Sequence, residues 1–294
     1  MAFAGAGAGF DTLRFSSPGV MWIDDVQVYP WRDYPSDYVP EPKPSPAQAP
    51  YLLGVQSCNL FREGRAYAGW DYIYPFREKR EPYLGWYDEG APEEVDWEIK
   101  WQVEHGISFE MHCWYRPDSA INHPIKDGVL DHSIIKGLFN ARYSHLAKFA
   151  IMIECEGACE TNMTDWQQNL VPYWIEYFFK DPRYLKIDGK PVFSIWGLPE
   201  LLRMLGGEEN VRQAIQLLRD ECKKSGFPGL WVLVEDHDAN LKKMQLQKSL
   251  GFDYGYAYCW GTKAGDVNLY PKDFTPDLGN ANSPANPDTT KGKE

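Results

Sequence analysis

The sequence lacks three features that mark broad classes of protein. No stretch approaches 18 consecutive apolar residues, so we expect no membrane span. Basic residues are in the minority: 30 Lys and Arg stand against 42 Asp and Glu, a net charge of −12, which argues against binding nucleic acid through a broad basic face. The phosphate-cradling motifs GxGxxG and GxxxxGK[ST] follow none of the apolar runs, and the GxSxG nucleophile motif is also missing.

Cysteine is also scarce, with six residues in 294, too few to hold so long a chain together as a disulfide scaffold. The spacing Cys155-x3-Cys159 is poor for a metal, and a second Cys or His pair is not found nearby. We therefore predict neither a metal site nor a cofactor. Most of the cysteines lie at the ends of apolar runs, where Cys is usually a small buried hydrophobe.

Aromatic residues, in contrast, are abundant. The chain has 12 Trp, 18 Tyr and 14 Phe, which together make up 15% of its residues. Trp and Tyr at this density suit an open cleft, where a flat ring packs on a sugar or a base while its N–H or O–H stays in water.

The chain divides into four segments by composition. Residues 1–30 hold two short β-like runs around a Ser-Ser-Pro-Gly turn, too little to bury a core alone. Residues 31–50 carry six prolines and predict a semi-rigid linker. Strand-like and helix-like segments alternate over 51–270, and residues 271–294 form a polar, proline-rich tail that we predict to be disordered.

The alternating segment predicts a parallel α/β sheet with six βα units. Strands are predicted over 51–58, 107–115, 149–154, 191–196, 230–235 and 252–260, and helices over 93–105, 132–147, 164–179, 208–224 and 239–250. Either an open doubly wound sheet or a (β/α)8 TIM-type barrel, truncated after about six units, fits this pattern. Most strands end in polar and aromatic residues, which favours the barrel because barrel enzymes carry functional groups at the carboxyl ends of their strands.

Side-chain alternation sorts each strand into two faces. In the strand 107–115 we assign one set to the barrel interior, namely Glu110, His112 and Trp114. The other set is assigned to the helices, namely Phe109, Met111, Cys113 and Tyr115. In the strand 149–154, Met152 and Glu154 are predicted to point inward.

Carboxylates that end apolar strands are the candidate catalytic groups. Glu154 and Glu235 occupy such positions, where partial desolvation should raise a carboxyl pKa. A pair of this kind can flank a glycosidic bond, one member protonating the leaving oxygen and the other acting as base or nucleophile. Glu156 is a third candidate, with plain surface charge as its alternative, and Glu235-Asp236 could instead cap the next helix.

Candidate substrate-binding residues lie near strand ends or in the long connection after the first strand. They are His112, Trp114, Tyr115, Trp196, Asp236, Tyr258, Trp260 and Trp70. For each ring, packing is the alternative to ligand binding, and His112 could bind a hydroxyl, orient a carboxylate or be a hydrogen-bonded core residue.

Three stretches resemble a known family: GWYDEGAPEEVDWEIKWQVEHGISFEMHCWYRP, KFAIMIE and YFFKDPRYLKIDGKPVFSIW. They are similar to the glycoside hydrolase family 99-like group, which includes the WbsX-type proteins of polysaccharide gene clusters, over about residues 51–260. The resemblance implies a (β/α)8 fold acting on an oligo- or polysaccharide outside the cytoplasm, extracellular or periplasmic. It also implies working carboxylates at a mid-barrel strand end, which by position are Glu154 and Glu156.

Residues 10–30 separately resemble the last strands of a jelly-roll carbohydrate-binding module, with Ile23-Asp24-Asp25-Val26 as a closing strand. Modules of that kind often hold a structural Ca²⁺, for which Asp24 or Asp25 could be a ligand, although we predict no metal for the chain itself. Two further functions remain as alternatives to hydrolysis: a non-catalytic or glycosyltransferase-associated carbohydrate-binding barrel, and an open-sheet enzyme for another small polar ligand.

Overall fold

A computed structural model describes residues 43–62, 70, 73, 76–80, 82, 84–117, 120–125, 130–156, 159–236 and 241–256. The predictions for residues 1–30, most of the linker, the tail, Tyr258 and Trp260 lie outside these residues.

Six parallel strands in sequential order form the sheet. The strands of the described part are β1 (Leu53–Ser57), β2 (Ile107–Trp114), β3 (Lys148–Glu154), β4 (Lys186–Ile187), β5 (Lys190–Trp196), β6 (Trp231–Glu235) and β7 (Tyr254–Tyr256). The order is β1-β2-β3-β5-β6-β7, and the short β4 pairs antiparallel with β5. A doubly wound sheet reverses its strand order at a switch point, whereas this order runs in one direction, so the barrel topology is the correct alternative.

Helices connect the parallel strands. They are α1 (Arg77–Arg80), α2 (Pro92–Glu104), the π-helix α3 (Ser133–Leu138), α4 (residues 163–179), α5 (Leu198–Leu205), α6 (Glu208–Lys224) and α7 (Leu241–Leu250). Within α4, the segments Met163–Asp165 and Val171–Tyr173 are α-helical, and the segments Trp166–Leu170 and Trp174–Phe179 are π-helical. The sequence pattern predicted α2, α4, α6 and α7 to within a few residues of their ends. It missed α1 and α5, and the helix that it predicted in the region of α3 is different in the structure.

The sheet is curled, as contacts across its inner face show. The hydroxyl oxygen of Tyr256 on β7 lies 3.4 Å from Sδ of Met111 on β2. These strands are four positions apart in the sheet, or about 19 Å if the sheet were flat. Gln56 on β1 similarly reaches Glu235 on β6, with 3.4 Å between Nε2 and Oε2. The described residues therefore form a curled (β/α) half-barrel with six parallel strands, of the truncated TIM type that was predicted.

The predicted helix over 132–147 is replaced by the six-residue α3 and a short 3-10 helix, Ser144–Leu146. Two contacts explain the early end of α3. The backbone passes so close to α2 at Gly137 that a Cβ there would lie 2.7 Å from Val95 and 2.8 Å from the Glu89 carbonyl. The side chain of Asn140 then donates to the carbonyl of Lys136 at 2.8 Å, which satisfies an acceptor at the helix end.

The face assignment for β2 was wrong. Trp114 is fully buried against Trp174 of α4, with the ring centroids 5.5 Å apart, and Glu110 accepts a hydrogen bond from Gln102 of α2 at 2.9 Å. These side chains therefore point toward the helices, and Met111 points inward, where it meets Tyr256. For β3 the assignment was right: Met152 lies 3.3 Å from the Tyr256 hydroxyl inside the barrel.

Candidate active site

Glu154 and Glu235 lie in one row across the carboxyl end of the sheet. Glu154 pairs with Trp196, and Glu235 pairs with Tyr256. Because Ile195 pairs with Val234, the register places Trp196 beside Glu235 as well. The two glutamates are thus two strands apart, which is about 10 Å between backbones. Both side chains lie on the inner face of the curled sheet, whose curvature brings side chains from separate strands toward one another. Glycosidases use pairs of carboxyl groups roughly 5–9.5 Å apart.

Glu154 is held in a desolvated, electronegative position. Its side chain is 8% exposed, and Oε1 accepts a hydrogen bond from the backbone N–H of Glu156 at 2.7 Å. Burial is the largest influence on the Glu154 carboxyl, and the charges of Glu156 and Glu200 act in the same direction; together they raise its pKa to about 7, against the opposing effect of that N–H. Glu154 is therefore suited to hold a proton near neutral pH.

Glu235 faces an amide donor that sequence analysis missed. The carboxylate is 6% exposed, and its Oε2 accepts from Nε2 of Gln56, which also lies 3.6 Å from the sulfur of Met152. A donor in this position interacts more strongly with a carboxylate than with a neutral acid. The only sequence signal for Gln56 is a polar residue inside the apolar run YLLGVQSC.

Tyr256 and Ser194 form a second inner-face group that sequence analysis did not single out. Ser194 Oγ and the Tyr256 hydroxyl are 2.9 Å apart, and that hydroxyl lies between the sulfurs of Met111 and Met152. Burial, followed by the charge of Glu235, raises the pKa of the Tyr256 phenol, which therefore stays neutral. This hydrogen-bonded pair lies on the inner face of the sheet next to the two glutamates.

Tyr115 and Trp196, both predicted to bind substrate, lie next to Glu154 on the rim. Both are half-buried, and the Tyr115 hydroxyl is 3.7 Å from Sγ of the exposed Cys58. Glu156 is exposed and contributes its N–H to Glu154. Four of the predicted residues, Glu154, Glu235, Tyr115 and Trp196, therefore come together at the carboxyl end of the sheet.

Two other predicted residues are engaged elsewhere. Asp236 accepts hydrogen bonds from Gln247, at 2.7 Å, and from Lys243, so its carboxylate faces α7. Trp70 stacks on Phe61 with 4.1 Å between ring centroids and donates Nε1 to the Tyr87 carbonyl at 2.6 Å. It belongs to an aromatic cluster in the connection after β1.

His112 lies behind the sheet in a buried polar cluster. Its Nδ1 donates to Oδ1 of Asn59 at 2.9 Å and lies 3.6 Å from Oε1 of Glu110. The side chain is 4% exposed, and burial lowers its pKa, which keeps the imidazole neutral. His112 and Trp114 therefore stand on the opposite face of β2 from the inner-face residues and do not line the same surface.

Glu89 of this cluster gives a prediction about pH and stability. It is 7% exposed and accepts from the Phe61 N–H at 2.6 Å. Burial, reinforced by the charge of Glu110, raises its pKa to about 8. Because the folded state holds this proton more tightly than the unfolded chain, the free energy of unfolding should fall by a few kcal/mol as pH rises from about 5 to 9.

Glu89→Gln should remove much of that loss, because Gln keeps the acceptor for the Phe61 N–H and cannot ionise. The measurement is guanidinium unfolding at pH 6 and pH 9. Glu176→Gln, at an exposed surface pair with Lys180, is the matched control and should behave as wild type. An unfolding midpoint in Glu89→Gln that depends on pH as strongly as in wild type would contradict the assignment.

The sequence matches the family described as Glycosyltransferase WbsX over residues 77–268. The chain belongs to the WbsX family. That match confirms the resemblance to WbsX-type proteins seen over about residues 51–260. None of the curated proteins matches it, and none of the helices in the described ranges is long and apolar enough to cross a membrane.

Two solved structures of the GH99 endo-alpha-mannosidase from Bacteroides thetaiotaomicron are similar to this WbsX-family chain. The complex with BIS-TRIS-propane is 16% identical with a TM-score of 0.49, and the match covers 74% of this chain and 61% of that one. The second structure is 15% identical with a TM-score of 0.48, with 70% and 61% covered. The chain thus spans about three fifths of the length of these mannosidase structures.

Proposed function

We propose that this protein hydrolyses a glycosidic bond in an oligo- or polysaccharide outside the cytoplasm, with Glu154 and Glu235 as the acid and base pair. The observation that carries the proposal is the placement of two buried carboxylates, on strands two positions apart, at the carboxyl rim of a curled parallel sheet. That rim is where barrel folds place their chemistry.

The surroundings of the two glutamates assign them different roles. A proton on Glu154 near neutral pH suits the general acid, which protonates the leaving glycosidic oxygen. The amide of Gln56 on Glu235 suits the ionised partner, which activates water or attacks the anomeric carbon.

Among the described residues around Glu154, the charges favour hydrolysis over transfer from a sugar nucleotide. Glu154, Glu156 and Glu200 stand together, while Arg203 is paired with Glu160. Arg116 is buried against Asp165, and Lys243 interacts with Asp236. A nucleotide diphosphate carries negative charges, which the carboxylates of Glu156 and Glu200 repel. The alternative remains a glycan-binding barrel associated with a glycosyltransferase, in agreement with the family's description.

The proposal is tested by incubating the protein with a panel of neutral oligo- and polysaccharides and measuring new reducing ends. We expect release without any added nucleotide. The rate should fall as pH rises through about 7, because Glu154 then loses the proton that the acid must deliver. A requirement for a sugar nucleotide, or binding to glycans with no turnover, would replace hydrolysis by the alternative.

A further inference from the structure

A second surface on the carboxyl side of the sheet has the composition of a sugar subsite. A groove of about 410 Å³ lies between the connections that follow β2 and β3 and the junction of α5 with α6. This volume is within the range of small-molecule sites, roughly 300–1,000 Å³. The side chains that give the groove its character are Asn122, Asn162, Thr164, Asn210, Met163 and Met204.

The polar groups of the groove are uncharged and can both donate and accept. Asn162 uses Oδ1 as the cap of α4, accepting from the Asp165 N–H at 2.9 Å, which leaves its Nδ2 as a donor. Asn210 uses Nδ2 to bind the Leu205 carbonyl at 2.6 Å, which leaves its Oδ1 as an acceptor. Asn122 and Thr164 are exposed. Such groups match sugar hydroxyls, which also donate and accept.

The groove is held from below by a buried ion pair. Asp165 and Arg116 are fully buried, with 2.7 Å between Asp165 Oδ1 and Arg116 Nη2. The same Oδ1 accepts from the backbone N–H of Asn122 at 2.8 Å, which holds Asn122 at φ +61°. Asp165 therefore holds the backbone of Asn122 through its carboxylate and the side chain of Asn162 through its N–H. A site whose groups are already ordered loses less entropy on binding.

The groove also lies near the proposed catalytic rim. The connection after β3 begins at Cys155 and Glu156, and a Cβ at Gly197, before α5, would lie 3.0 Å from Cγ of Glu156. One side of the groove is Asn162, a few residues farther along that connection, and another side is the carboxyl end of the eight-residue α5. A glycan chain could thus extend from the glutamates along α5.

We propose that this groove binds one or two uncharged sugar units of the glycan, at a distance from the bond that is cut. The inference rests on the proposed function and names its substrate class, a neutral glycan longer than the part held between the glutamates. None of the described residues that line the groove carries a charge, so it offers no cation for a uronate or a phosphate.

The experiment compares wild type with the double variant Asn122→Gly/Thr164→Val in titration against neutral gluco-, manno- and galacto-oligosaccharides of two to eight units. Glycine accepts the positive φ at position 122 and removes only the amide, and valine replaces the hydroxyl by a methyl group. Thr164→Ser is the matched control that keeps the hydroxyl. We expect the double variant to bind the longer oligosaccharides about tenfold more weakly, with Thr164→Ser as wild type.

Turnover separates this inference from the proposed function. The double variant should raise KM on long substrates while kcat is unchanged, because the groove lies away from the reacting bond. Equal affinities of wild type and double variant, or no binding of the neutral series by wild type, would overturn the groove assignment. Hydrolysis that persists in either case leaves the roles of Glu154 and Glu235 intact. Equally weakened binding of two-unit and eight-unit glycans would also count against a distal subsite.

Discussion

Replacing Glu154 by Gln is expected to lower kcat by about 10²–10⁴ on any glycan that the protein cleaves. Gln has nearly the same shape and keeps an oxygen to accept from the Glu156 N–H, 2.7 Å away. It cannot deliver a proton to the leaving oxygen, so the loss comes from chemistry and not from folding. Initial rates of reducing-end release, with thermal unfolding on the same samples, measure both quantities.

Two comparisons sharpen this result. A substrate with a good leaving group, such as an activated aryl glycoside, needs little protonation and should recover much of the lost rate in Glu154→Gln. Glu235→Gln should be inactive on both substrates, because the base or nucleophile is needed in either case. If both variants keep wild-type rates, Glu154 and Glu235 are not the catalytic pair.

The largest expected effect on stability comes from Asp165→Asn. Asp165 accepts from Nε and Nη2 of Arg116 at 3.0 and 2.7 Å, and also from Thr161 and Asn169. Both ions are fully buried. Removing one charge leaves the other without compensation in the interior, which costs about 3–5 kcal/mol. Chemical unfolding of the purified variant gives this free energy directly.

The control is an Arg–carboxylate pair on the surface. Glu209 pairs with Arg212, and their side chains are 67% and 42% exposed, so Glu209→Gln should change stability by less than about 1 kcal/mol. The double variant Arg116→Met/Asp165→Asn should be less destabilised than Asp165→Asn, because it leaves no charge uncompensated while Asn keeps an acceptor oxygen for the Asn122 N–H. Equal stabilities of Asp165→Asn and Glu209→Gln would mean that the Arg116 ion pair does not matter for folding.

The sequence predicted the elements well where the local pattern is complete. The helix predicted over 93–105 is followed directly by Gly106, which has φ +79° and whose N–H is bonded to the Val103 carbonyl. α6 matches its predicted range of 208–224. Most cysteines were predicted to be small buried hydrophobes, and Cys113, Cys155, Cys159 and Cys222 are indeed buried in the core. Each of these features depends on neighbours in the chain.

The site could be predicted only in part. Glu154 and Glu235 were visible because each ends an apolar strand, and parallel strands bring their carboxyl ends to the same edge. The assignment of β2 failed because Glu110, His112 and Trp114 were judged by polarity alone. Glu110 and His112 can face the helices because Gln102 hydrogen-bonds Glu110 there and Asn59 hydrogen-bonds His112. Asn59 is 53 residues from His112 in the sequence, so a local pattern does not show this contact.

By itself, then, the amino-acid order determined the six parallel strands, most of the helices between them and the acidic residues at the strand ends, because periodicity and glycine or proline positions act over a few residues. Only the tertiary structure decided which face of β2 is inside, and that Gln56 meets Glu235 although 179 residues separate them. Those outcomes depend on how strongly the sheet curls. Curvature is set by the packing of the whole sheet and its helices, which no single segment encodes.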